Sequence, residues 1–290
     1  MPTSSPSNLP SAVPSSAPTS QPTALPSGVP TSKPTCAYYA FAASSATITS
    51  AASGVTSVYP LDVDGDSDVD VVVGSHKDDS VRWLQNNGAQ PTPGFASNTI
   101  TAGANGVKSV FALDVDGDSD VDVLSASNID DTVAYYENDG SQGFSARVVT
   151  ASADGASSVS AVDLDGDSDV DVLSAAPTDN TVTWHKNDGS QSFTATSVTA
   201  SASGAYDVFV ADVDGDADTD VLVASHGDDS VRWFANEGEN TFGVYELDEY
   251  LVTNSADYAA SVMAIDIDVD IRVAVDVLSL IHISEPTRPY

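Results

Sequence analysis

From Ala37 onward the chain is written in short apolar words separated by polar turns, and the pattern repeats. In the first unit Ser57–Leu61 (SVYPL) reads as one strand, and Val69–Ser75 (VDVVVGS) as a second, mostly apolar and central to its sheet. Lys77–Ser80 (KDDS) is a turn, and Val81–Gln85 (VRWLQ) alternates as a third strand. Asn86–Gly88 (NNG) is a turn of the kind that takes positive φ, and Phe95–Thr101 contains a fourth strand. Later units return D-D-T, D-N-T and D-D-S at the first turn, and N-D-G, N-D-G and N-E-G at the second. No stretch carries helical periodicity, so the pattern predicts an all-β protein.

The unit length sharpens this. Ala40–Val58 matches Phe95–Val110, and similar words return at Phe144–Val159 and Phe193–Val208. An aspartate-rich loop begins at Asp62, Asp114, Asp163 and Asp212, at spacings of 52, 49 and 49 residues. Such a period suits the four-stranded blade of a β-propeller, whose repeats run to roughly 40–50 residues. Four full repeats and a partial fifth are expected. Trp83, Tyr135, Trp184 and Trp233 fall at one place in the third strand, and Phe95, Phe144, Phe193 and Phe242 open the fourth. The reading favours packing between neighbouring blades for these rings over a ring of sugar-stacking aromatics.

Between the first two strands of each unit stands DVDGDSDVD or a close copy, with aspartate at every second position. Packing offers no reason to crowd five carboxylates into nine residues, where they repel one another and raise each other's pKa. Holding a hard cation does. Calcium takes six to eight oxygen ligands in flexible geometry. In the first loop Asp62, Asp64, Asp66 and Asp70 can supply side-chain oxygens, Asp68 its backbone carbonyl, and Gly65 lets the chain curl. Magnesium resists dehydration and seldom sits in an all-protein cage, and zinc would want His or Cys nearby. An EF-hand requires Gly at position 6 and Glu at position 12, where this loop has Ser67 and Val73. The copy from Asp266 (with Asp268 and Asp270) loses the glycine and brings Arg272 close, so no metal is expected there.

The chain has 290 residues, with 9 Lys+Arg against 43 Asp+Glu, a formal net charge of -34. The four intact loops alone hold 20 of those acidic residues. So acidic a chain lacks the basic footprint that phosphate backbones require, which argues against nucleic acid. A single cysteine, Cys36, excludes a disulfide framework within the chain. No apolar run is long enough to span a bilayer, and the N-terminus lacks the basic-then-apolar pattern of a signal peptide.

D-x-D-x-D-x-x-x-D between two strands, in units of this period, resembles the FG-GAP or VCBS repeats of integrin-α-like β-propellers. The resemblance runs from about Ala40 to Leu278. It implies calcium in the loop between the first two strands of each blade. Carried across, the further ligands are Asp114, Asp116, Asp118, Asp120 and Asp122; Asp163, Asp165, Asp167, Asp169 and Asp171; and Asp212, Asp214, Asp216, Asp218 and Asp220. The family often has Gly after the third acidic residue, where this chain has Ser or Ala, and its Phe-Gly and Gly-Ala-Pro words are largely missing here.

The expected organisation is a disordered Pro/Ser/Thr-rich linker or stalk over residues 1–36, propeller repeats over 37–277, and a foreign tail over 278–290. The tail, LSLIHISEPTR and onward, resembles the in-frame translation of a transposase-based sequencing adapter; on that reading the chain is truncated, and the blade number is a lower limit. His76 and His226 share one repeat position and read as surface loop residues; no nucleophile elbow, zincin motif or P-loop is present, so no catalytic activity is expected. The expected function is an extracellular or cell-surface calcium-binding module for a protein or glycan partner. The alternative is a non-catalytic accessory region of a larger secreted enzyme.

Overall fold

The computed structural model describes residues 48–49, 51–89, 94–199, 202–239, 245–265 and 274–276, all within a unit spanning 47–290. The Pro-rich segment, Phe242, the aspartates from Asp266 and the tail from Leu278 lie outside the described residues. Every element is a β-strand, and no helix among the described residues is long and apolar enough to cross a membrane.

Sixteen strands form four consecutive antiparallel meanders, the blades of a β-propeller. Blade 1 is β1 (Val55–Leu61), β2 (Asp70–Ser75), β3 (Ser80–Asn86) and β4 (Phe95–Thr101). Blade 2 is β5 (Val107–Leu113), β6 (Asp122–Ser127), β7 (Thr132–Asn138) and β8 (Phe144–Thr150). Blade 3 is β9 (Ser158–Val162), β10 (Asp171–Ala176), β11 (Thr181–Asn187) and β12 (Phe193–Thr199). Blade 4 is β13 (Ala205–Ala211), β14 (Asp220–Ser225), β15 (Ser230–Glu239) and β16 (Tyr245–Thr253). A two-stranded ladder, β17 (Met263–Ile265) with β18 (Ala274–Asp276), follows. The first strands of successive blades lie side by side, β1 against β5, β5 against β9 and β9 against β13.

The second strand of each blade is buried on both faces, which is why it reads as a nearly unbroken apolar run. Successive side chains point to opposite faces, so one blade serves two cores. Val123 of β6 packs with Val72, Val81 and Trp83 of blade 1, while its neighbour Leu124 packs with Val159, Ala161 and Val172 of blade 3. Leu173 and Trp184 meet Val208, Val221 and Phe234 in the same way. The ring positions flagged in the sequence join neighbouring blades: Trp83 meets Phe144 edge-on at 6.5 Å between centroids, and Tyr135 meets Phe193 at 6.1 Å. Trp233 instead stacks on Tyr250 of its own blade.

Polar clasps tie each blade to the next. Asp79, at φ 51°, accepts the Gly106 amide on its carboxylate and the Ala104 amide on its backbone carbonyl. Asp131 holds Gly155 and Ala153 in the same way, and Asn180 holds Gly204. Asp and Asn are the non-glycine residues that enter the left-handed region at least cost, so the second residue of the D-D turn does two jobs.

Candidate metal centre

Each aspartate loop leaves the end of the first strand and re-enters the sheet at the first residue of the second. The aspartate at loop position 1 folds the turn. Asp62 accepts the amides of Gly65 and Ser67 at 2.9 and 2.8 Å, and Asp114, Asp163 and Asp212 do the same in their loops. Position 5 caps position 7: Asp66 accepts the Asp68 amide, Asp118 that of Asp120, Asp167 that of Asp169, and Asp216 that of Asp218.

Position 9 is fully buried in every loop. Asp70 accepts the Asn86 amide on Oδ1 and the Val63 amide and Trp83 indole on Oδ2. Asp122, Asp171 and Asp220 receive the matching backbone pair from Asn138 and Val115, Asn187 and Leu164, and Asn236 and Val213. The asparagine completes the frame, its amide donating to the carbonyl of position 8 and its carbonyl accepting from the turn glycine.

Three carboxylates converge in each loop, with candidate oxygens within 4.8 Å of one another: Asp62, Asp64 and Asp66; Asp114, Asp116 and Asp122; Asp163, Asp165 and Asp171; Asp212, Asp214 and Asp220. Position 7 is turned elsewhere. A Cβ built on Gly88 would stand 2.0 Å from Asp68 Oδ2, and Gly140 and Gly189 face Asp120 and Asp169 similarly closely. Those carboxylates therefore lie against the second turn, and glycine there answers both their approach and a positive φ of 62–76°.

The donor set fits a hard cation: it is all oxygen, and it is short of positive charge. Asp64 Oδ1 is buried with no partner among the described residues. Burial pushes the Asp122 carboxyl up to about 6, further raised by Asp116 and Asp118 and only partly offset by its two backbone donors. Asp171 is also pushed up to about 6, again chiefly by burial, and Asp64, Asp116 and Asp220 are raised for the same first reason. A cation among these oxygens reverses that penalty, so each group could hold a metal ion.

The FG-GAP-like repeat model matches residues 62–125, 114–174 and 163–223, more than half of the chain. The chain belongs to the FG-GAP-like repeat family. Each matched FG-GAP-like segment starts on a position-1 aspartate and runs through the next blade's loop into its second strand. No curated protein matches the chain. Among solved structures the FG-GAP-like propeller is similar to a 6-phosphogluconolactonase candidate from Bacteroides uniformis, at 11% identity and TM-score 0.48, covering 70% of this chain and 56% of that one. It is also similar to a protein from Lactobacillus plantarum, at 14% identity and TM-score 0.47, covering 76% and 69%. The chain thus spans little more than half the length of the first.

Two elements of the site were not legible as such in the sequence: the Trp83–Asp70 and Asn86–Asp70 bonds, and the residue one place before each asparagine. That residue is Gln85, Glu137, Lys186 or Ala235. Its only signal was its variation at a fixed repeat position.

Proposed function

We propose that this chain is a calcium-binding, extracellular β-propeller that acts as an adhesion-type module for a protein or glycan partner, without catalytic activity of its own. The observation that carries the calcium reading is the fourfold recurrence, at one place in the blade, of three converging carboxylates built on loop positions 1 and 3, joined by position 5 in the first loop and by position 9 in the other three. Oxygen-only donors with three carboxylates per group, and no His or Cys among them, favour calcium over magnesium or zinc. Extracellular modules of this kind bind calcium at roughly 10⁻⁴–10⁻³ M, so such loops would be filled outside cells and empty in cytosol.

A non-catalytic role agrees with the placement of the histidines. His185 pairs with the Ser174 hydroxyl, but both side chains are buried in the sheet away from any substrate, and His226 stacks on Tyr258. The test is thermal unfolding in excess chelator and in millimolar calcium. Metal that binds only the folded state raises the melting temperature with concentration, and an unchanged melt would overturn the calcium reading. Binding to immobilised glycans with no change in the glycan tests the adhesion reading.

A further inference from the structure

The residue preceding the repeated asparagine faces the aspartate loop of its own blade, and it differs in chemistry from blade to blade. Gln85 donates its amide to Asp64 Oδ2 in blade 1. Glu137 lies close enough to Asp116 to raise that carboxyl, and is itself paired with Arg147. Ala235 offers no polar atom. In blade 3 the residue is Lys186, and its ammonium pairs with Asp165 Oδ2 and stands 3.3 Å from Asp167 Oδ2. Among the described residues, no aspartate of the other three loops is paired with Lys or Arg.

We propose that Lys186 is an internal counter-ion that takes the cation position of the third loop, so that the four loops form two classes of metal site. This rests on the calcium reading above. Asp165 belongs to the converging group, and Asp167 stands beside it in the same loop. A calcium ion needs such oxygens at about 2.3–2.6 Å, while a lysine ammonium is a compact point charge that engages the same atoms through its three donors. The two cannot share them. Loading the loop therefore requires Lys186 to withdraw, which leaves a positive charge beside an incoming divalent ion. Withdrawal also uncovers Asp165, whose side chain is wholly buried, while the lysine side chain is 39% exposed. The third loop is thereby held together without metal, and the other three depend on it.

The test is equilibrium dialysis of the full chain against calcium, with circular dichroism confirming that each variant is folded. The wild type is expected to bind about three equivalents in one class and a further one about tenfold or more weakly, from the repulsion between like charges a few ångströms apart. Lys186→Gln, which installs the side chain found at this place in blade 1, is expected to bring the strong class to about four. Gln85→Lys is expected to lower it to about two. Four equivalent sites in the wild type, or a Lys186→Gln chain with the wild-type count, would overturn the proposal and leave the calcium reading standing. Folded wild-type and Lys186→Gln chains that bind no calcium would overturn both.

Discussion

The indole Nε1 of Trp83 donates to Asp70 Oδ2 at 2.8 Å, joining the residue that packs blade 1 on blade 2 to the buried carboxylate that closes the loop. One side chain therefore serves the core and the loop together. Trp184 does the same for Asp171. Blade 2 has Tyr135 at this position, and its Oη is buried with no partner among the described residues.

That difference predicts opposite outcomes for two matched substitutions. Trp83→Phe removes a donor to a buried carboxylate as well as ring volume, and should cost about 2–4 kcal/mol, read as a shift in denaturation midpoint. Tyr135→Phe removes a hydroxyl that has no partner and should be neutral or slightly stabilising. A Tyr135→Phe chain as destabilised as Trp83→Phe would show that the hydroxyl is satisfied.

Loop position 6 predicts a gain. Ser67, Ser119, Ser168 and Ala217 hold φ of 73–79°, a region that costs a side chain about 1 kcal/mol. Ala217→Gly should stabilise the chain by about 0.5–1 kcal/mol, measured by chemical denaturation without metal. Gly117, at φ 79° with open space around its Cβ position, gives the reverse control. Gly117→Ala should lose about 1 kcal/mol with no steric clash to account for it.

The raised carboxyls make metal uptake pH-dependent. With Asp122 pushed up to about 6, the metal-free fold holds a proton that the unfolded chain releases near pH 4. The contribution of this group to the metal-free fold is therefore full below about pH 4 and is lost as pH rises through 6. Metal binding needs the ionised form, so calcium affinity should fall as pH drops below about 6, and calcium added at pH 6 should release protons. Calorimetric titrations in buffers of different ionisation enthalpy would measure that release, and an uptake independent of buffer and pH would contradict it.

The blades were legible because short apolar words bounded by turn residues, and about 50 residues between loops, are both written in one chain. In blade 1 the strand limits came within two residues, as with Val55 rather than Ser57 at the start of β1, while in blade 4 the third strand runs on to Glu239. The convergence inside each loop was less legible. Asp70 reaches Asn86 across a hairpin, and Asp68 turns toward Gly88, because of the register between β2 and β3, which spacing alone does not reveal. Lys186 was hidden for a related reason: a lone basic residue in a strand means nothing until the sheet places it over Asp165.

The same register creates a buried polar pair with its own pH signature. His185 Nε2 meets Ser174 Oγ at 2.9 Å, where blade 2 has Tyr136 with Ser125 and blades 1 and 4 have the apolar pairs Leu84 with Val73 and Phe234 with Val223. Burial lowers the His185 imidazole to about 4 from an ordinary 6.5. The unfolded chain therefore binds this proton at a pH where the fold does not. Its contribution is full above about pH 6.5 and falls away toward pH 4, by about 3 kcal/mol in all. Replacing the pair with the blade 4 residues, Ser174→Val with His185→Phe, should abolish that slope and leave stability at pH 7.5 level or higher, since both polar partners leave together. Denaturant midpoints from pH 4 to 7.5, taken in chelator so that metal does not contribute, would show the wild type losing stability relative to the double variant as pH falls. Parallel pH profiles would mean that His185 already carries its proton in the fold.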